Sequence, residues 1–261
     1  MMQADPLVFD HLLGLPGIVH GVFTRRGGVS PGPWKGLNIG LGCGDDPGNV
    51  RENRRTMLST LGIDRAMFLS QVHGRNIHII RKGQVNPDEL WDPLTGESRA
   101  PVTADGMITD EPGLGLVIQV ADCQAVILYD PVGRVIANVH SGWRGSVADI
   151  LGQCADRMVS GFGCRPRDIW AGIAPSLGPC CAEFVNYPRE LPKAFLPYKA
   201  PDSPLFDFWK ISRDQLMAKG LLPDRIQDMG MCTMCRSDLF FSYRHNKFTG
   251  RFAAVIGLEN A

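Results

Sequence analysis

The sequence predicts a mixed fold, α/β or α+β, with helices layered over buried sheet. Three observations carry that reading. Short apolar runs lie at 67–72, 77–80, 114–120, 125–129, 134–139 and 252–258, and several are apolar throughout instead of alternating. That pattern suits strands covered on both faces. Two longer segments instead repeat their apolar residues at helical spacing. Finally, no Gly/Ser linker, internal repeat or low-complexity tract divides the 261 residues, so one domain over 1–261 is expected.

The first helix is signalled by Asn49-x-x-Glu52, an Asn form of the capping box, followed by Val50, Met57, Leu58 and Leu61. Gly62 is its expected stop. The second is expected to open at Ser146-x-x-Asp149 and to end at Gly161. Its apolar face is Val147, Ile150, Leu151, Cys154 and Met158, which makes Cys154 a packing residue. Two proline-rich stretches, 82–103 and 188–204, read as irregular surface excursions.

Charge and composition exclude several classes of function. The 27 basic and 27 acidic side chains leave a formal net charge of zero. The usual electrostatic case for nucleic acid or an anionic membrane is therefore missing. No segment approaches the roughly 18 apolar residues that a membrane helix needs. Residues 1–9 lack a basic n-region and contain Asp5 and Pro6, so they do not read as a signal peptide. A reducing, cytoplasmic setting is expected for the eight cysteines. Reduced cysteines can ligate metal, act as nucleophiles or pack.

The chemistry concentrates in Ala121-Asp122-Cys123, Asp130-Pro131-Val132-Gly133 and Val139-His140-Ser141-Gly142-Trp143-Arg144-Gly145. The middle piece is a turn signal, so residues 124–139 are expected to form a hairpin. If Asp130 and Gly133 close a two-residue turn, Cys123 faces His140. A three-residue loop with Gly133 left-handed shifts the pairing by one. Directly facing Cα atoms lie about 4.5–5.5 Å apart, close enough for thiolate and imidazole to share one ion. His73, in Gln71-Val72-His73-Gly74, is available as a third ligand. Two imidazoles and a thiolate leave a fourth position open, the pattern of a catalytic zinc site. Arg144, expected just before a helix start, and Arg25 beside Gly27-Gly28 are candidates to hold an anion. Gly40-Leu41-Gly42-Cys43-Gly44 lacks dinucleotide-binding spacing. Cys232 and Cys235 have zinc-ribbon spacing, but adjacent Cys180 and Cys181 read as poorly placed to chelate together. A packed or redox-silent role is expected for these four, with a Cys₄ site as the alternative.

Gln71-Val72-His73-Gly74, Ala121-Asp122-Cys123 and His140-Ser141-Gly142-Trp143-Arg144-Gly145, in that order, resemble the family variously called polyphenol-oxidase-like (laccase-domain) proteins, purine nucleoside phosphorylases and peptidoglycan editing factors. The match extends to Thr24-Arg25-Arg26-Gly27-Gly28, Leu37-Asn38-Ile39-Gly40, Ile173-Ala174-Pro175-Ser176-Leu177-Gly178-Pro179-Cys180-Cys181 and Ser242-Tyr243-Arg244. Ser141 stands where that family usually has Ala. The resemblance implies a four-layer helix–sheet–sheet–helix domain, related in shape to toxin deamidases that use a Cys–His pair. It also implies zinc, or copper, on His73, Cys123 and His140, with these three as the catalytic residues. Arg25, Asn38 and Arg144 become the substrate-binding candidates. The implied partners are purine nucleosides and phosphate, for phosphorolysis of adenosine, inosine and S-methyl-5′-thioadenosine and for adenosine deamination. A monomer is expected.

A true multicopper oxidase is excluded by counting. Its blue-copper site and three-copper cluster together demand around ten histidines, whereas this chain has six and no His-x-His pair. Weak copper-dependent phenol oxidation at one site stays open. So do a cysteine hydrolase or amidase acting on a peptidoglycan precursor, with Cys123 as nucleophile and His140 as base, and a non-enzymatic binding module.

Overall fold

The computed structural model describes residues 4–260, so the first three residues of the segment examined for a leader lie outside the described part. Two mixed sheets face each other. The first has the order β1 (Ile18–Val22), β11 (Phe252–Leu258), β6 (Leu114–Val120), β2 (Arg65–Ser70) and β4 (Val102–Thr103). The second runs β10 (Ile226–Asp228), β9 (Trp170–Ile173), β7 (Gln124–Asp130), β8 (Val135–Ser141), β5 (Gly106–Thr109) and β3 (Ile77–Ile80).

The continuous apolar strands fill both of their faces. Met67, Leu116, Ile118, Ala254 and Ile256 of the first sheet pack against Met107, Ile127, Tyr129 and Ile136 of the second. The alternate residues Ala66, Phe68, Val117 and Val255 turn outward onto Met57 and Leu58 of α1 (Pro47–Thr60). On the other side, Val126, Leu128, Ala137 and Val139 meet Ile150, Leu151, Cys154 and Met158 of α3 (Ile150–Phe162), together with Leu216 of α5 (Phe208–Ala218). The order of layers is helix–sheet–sheet–helix, and Cys154 packs as its spacing predicts. Asn138, fully buried on β8, sends its amide to the carbonyls of Leu116 and Ala254 at 3.0 and 2.9 Å, tying the sheets together.

Several local expectations shift. The first helix begins at Pro47, capped by Asp46, whose carboxylate accepts from the Gly48 N–H at 2.6 Å. Pro47 presets the first helical φ, so Asn49 falls inside the helix. Ser146 does not cap a helix. Its hydroxyl meets that of Ser141 at 3.1 Å, and it lies in the short α2 (Trp143–Val147). Arg144 consequently sits within that helix and not before it. Asp149, left-handed at φ 53°, breaks the helix and caps α3. That helix runs past Gly161 to Gly163, which takes the left-handed stop at φ 75°.

The hairpin register also moves. Asp130 Oδ1 accepts from Val132 and Gly133 N–H groups at 2.8 and 3.2 Å, which draws Arg134 into the loop as its left-handed residue, at φ 50°. The ladder then pairs Asp130 with Val135 and Ala125 with His140. Cys123 falls just outside the ladder, opposite Gly142. The 82–103 stretch is largely irregular but buries Trp91. The 188–204 stretch is more ordered than expected. It includes most of α4 (Tyr187–Glu190) and a 3₁₀ turn at Lys193–Tyr198, and its Phe195 packs into a small core with Ala182, Phe206, Phe208 and Ile211.

One buried group outside the site gives the fold a pH signature. His20 on β1 accepts the Phe9 N–H at 3.0 Å through Nε2, and burial lowers its pKa from 6.5 to about 4, helped by nearby His11. The unfolded chain therefore binds the extra proton first. This contribution is complete above pH 6.5 and fades as pH falls toward 4. Denaturant unfolding at pH 7 and pH 4 should show a loss of about 3 kcal/mol from this residue, absent in His20→Gln.

Candidate metal and active site

The chain crosses from the first sheet to the second at Ala121-Asp122-Cys123, between β6 and β7. The crossing is sharp. Asp122 sits at φ 90°, an unusual angle for a residue with a side chain. Its carboxylate accepts from the Thr233 hydroxyl and the Arg244 N–H, each at 2.6 Å, and its carbonyl accepts from the Leu177 N–H at 2.8 Å. Strain of this kind persists only where surrounding contacts over-determine it, and it clusters at functional sites.

His73 follows β2 in a second strained turn, at φ 59°. Asp105, fully buried just before β5, holds that turn. Its carboxylate accepts from the His73 N–H at 2.9 Å and the Gly74 N–H at 2.6 Å. The same carboxylate meets His140 Nδ1 at 2.8 Å, and the Asp105 carbonyl accepts the His140 N–H at 2.7 Å. One side chain thus orients the His140 imidazole and holds the backbone turn that carries His73.

The resulting cluster joins the three residues that the motifs singled out. One donor atom from each of His73, Cys123 and His140 lies within 4.8 Å of the other two. The imidazole planes are nearly perpendicular, at 81°. Gly142 keeps the space beside them open. A Cβ there would lie 3.0 Å from His73 Cδ2 and 3.1 Å from Cys123 Sγ. Because φ is −75° at Gly142, room and not backbone freedom explains the glycine.

Electrostatics follow from this packing. Burial opposes charge on Cys123, but hydrogen bonds from His140 and His73 outweigh it and bring the thiol from 9.0 down to about 6. Burial likewise opposes charge on His140, while Asp105 and the thiolate raise it to about 9. Burial would push Asp105 up, yet His140 and the Gly74 and His73 N–H groups hold it below the usual carboxylate range. Between these limits the metal-free pair is thiolate and imidazolium.

A cavity of about 890 Å³ opens over the cluster. Arg54, Arg244 and Arg251 line it, whereas Arg25, Asn38 and Arg144 do not. The physical reasons are plain. Arg25 donates to the Ser237 carbonyl at 3.0 Å and lies over the Phe241 ring, 4.6 Å from its centroid. Arg144 is exposed and stacks on its neighbour Trp143 at 4.2 Å. Asn38 is fully buried and serves as a brace, accepting the Gly40 and Arg251 N–H groups at 3.0 and 2.8 Å. It positions a cavity arginine without reaching the cavity. Asp105 is the functional residue that sequence reasoning missed. Its signal was a lone carboxylate between Ala104 and Gly106 at the start of an unrecognised strand.

Two mixed sheets carrying a thiolate and two imidazoles at their crossing, under an arginine-lined cavity, define a distinct class of site. The chain belongs to the family described as multi-copper polyphenol oxidoreductase laccase, whose model matches residues 19–259. Purine nucleoside phosphorylase YfiH of Shigella flexneri is 34% identical over 245 residues, covering 90% of this chain and 91% of that protein. Purine nucleoside phosphorylase YlmD of Geobacillus stearothermophilus is 32% identical over 252 residues, covering 92% and 90%. The crystal structure of YlmD from Geobacillus stearothermophilus matches with a TM-score of 0.81 at 33% identity, over 94% of this chain and 93% of that one.

The ionisation of the cluster can be read directly. In metal-stripped protein, alkylation of Cys123 by iodoacetamide should reach half its maximal rate near pH 6. Asp105→Asn removes the charge that sustains the imidazolium, so the midpoint should move up toward 9.0.

Proposed function

We propose that this chain is a metal-dependent purine nucleoside phosphorylase, one domain acting in the cytoplasm on adenosine, inosine and S-methyl-5′-thioadenosine. Adenosine deamination is its second reaction. The observation that carries the reading is the His73–Cys123–His140 cluster opening into a cavity that also presents three arginines. About 890 Å³ suits a nucleoside together with phosphate. The relatives' names, purine nucleoside phosphorylase, support the broader class, phosphorolysis of purine nucleosides.

The residues fit a metal. A thiolate and two imidazoles are a zinc or copper donor set, and the carboxylate behind His140 is the usual support for a ligating imidazole. His73, Cys123 and His140 would hold the ion, and the open space beside Gly142 is left for substrate. When bound, zinc, or copper in its place, supplies a Lewis acid that polarises substrate oxygen or nitrogen and acidifies water.

The chain's own groups account for the rest. Arg244 and Arg251 hold phosphate, and Arg54, buried and stacked on Phe68, adds fixed positive charge deeper in the wall. Trp143, Phe184 and Phe208 offer an aromatic surface to the purine. In phosphorolysis a phosphate oxygen bonds to C1′ while the C1′–N9 bond breaks, and the electron pair leaves with the purine, which takes up a proton. Holding both reactants in one cavity is the main service the site can render. Deamination replaces the C6 amino group with oxygen from water and releases ammonia.

A second reading rests on one specific observation. Asp105, His140 and Cys123 stand in the order carboxylate, imidazole, thiolate, as in a cysteine hydrolase. That reading, which includes an amidase acting on peptidoglycan precursors and the likeness to toxin deamidases, has no use for His73. We favour the metal because the second imidazole has no task in a dyad.

Adenine release from adenosine should require phosphate and should vanish on chelation. His73→Ala should lose the metal of this cluster and activity together, and Cys123→Ala should do the same. A folded His73→Ala protein with no metal at Cys123 and His140 that keeps most of its nucleoside activity would favour the hydrolase. Asp105→Asn should weaken metal binding by about 10–100-fold. Arg244→Lys keeps charge but loses the guanidinium fork, so the apparent KM for phosphate should rise, while Arg144→Lys should leave it unchanged.

A further inference from the structure

Against the expectation from their spacing, Cys180, Cys181, Cys232 and Cys235 come together. Their sulfurs all lie within 4.8 Å of one another, and Cys235 Sγ is 3.6 Å from both Cys180 Sγ and Cys181 Sγ. Zinc–sulfur bonds of about 2.3 Å in a tetrahedron place neighbouring sulfurs about 3.8 Å apart. A disulfide needs about 2.05 Å, and all four thiols are free.

The two turns are shaped to deliver them. Cys181 and Ala182 N–H groups both return to the Gly178 carbonyl at 2.9 Å, a coil that lets adjacent cysteines reach one point. The Gly178 N–H donates to Cys232 Sγ at 3.3 Å, the contact a thiolate attracts. A Cβ on Gly178 would lie 2.9 Å from Cys232 Cβ, so only glycine allows this approach. Packing offers no competing reason for the cluster, since Cys180 and Cys235 are exposed.

We propose that Cys180, Cys181, Cys232 and Cys235 bind one structural zinc ion, separate from the cluster at His73, Cys123 and His140. Four protein ligands leave no open position, so the site is closed to substrate. Its role is to clip two distant turns. Between them, Thr233 N–H donates to the Ser176 carbonyl at 3.0 Å, and the Thr233 hydroxyl reaches Asp122. The clip therefore secures the strained residue beside Cys123 from outside the cavity.

Zinc analysis of the Cys123→Ala protein isolates this site from the other. That protein, purified with reductant and dialysed against a weak chelator, should retain about one zinc ion per chain. Adding Cys180→Ser and Cys235→Ser should abolish retention. Because that variant is liable to misfold, cobalt exchanged into Cys123→Ala provides a second measure. It should give the intense thiolate charge-transfer band and tetrahedral visible spectrum of four sulfur ligands. Zinc-free Cys123→Ala protein, zinc unaffected by loss of the two thiols, or cobalt lacking that spectrum would each overturn the assignment.

Discussion

The carboxylate of Asp105 joins parts of the chain that the fold otherwise keeps apart. The His73 turn hangs from the end of β2 in the first sheet, while His140 belongs to β8 in the second. Asp105 reaches both with hydrogen bonds of 2.9 Å or shorter, from a fully buried position where water cannot compete. A buried carboxylate is costly unless its lone pairs are satisfied. Here backbone N–H groups and an imidazole satisfy them, so the cost of burial becomes a geometric constraint. The His73 turn and the aim of the His140 imidazole rest on it directly, and the acidity of Cys123 rests on it through His140.

The same economy governs the crossing at Asp122. Side chains at positive φ are tolerated at His73 and Asp122 because each turn is tied at several points. For Asp122 the ties come from segments more than fifty residues away along the chain: Leu177, Thr233 and Arg244. Residues that look like a scattered set of C-terminal motifs are, in space, the outer brace of one peptide unit.

Much of this was legible in the sequence, and the rest was hidden for physical reasons. Apolar runs located the central strands well, because burial on both faces leaves a plain signature. Gly106–Thr109 and Trp170–Ile173 escaped notice because four residues that include a glycine give almost none. His73, Cys123 and His140 were readable as a set, since each ends or adjoins a strand and carries a reactive group. Arg25 and Arg144 misled because a guanidinium near a turn looks alike whether it faces a cavity or lies on an aromatic ring. Cys180, Cys181, Cys232 and Cys235 misled differently. Linear spacing says nothing about how tightly the turn at Gly178 coils.

The cavity divides its duties between different parts of the chain. Its reactive floor is built on strand ends and the sheet crossing, all anchored in the central layers. Much of one wall comes from Leu177, Ala182, Phe184 and Phe208, which belong to the small separate core into which Phe195 of the 188–204 excursion packs. This wall is thus built from elements other than those that carry His73, Cys123 and His140. The shape of the cavity and the geometry of the cluster at its floor are therefore separable properties of one chain.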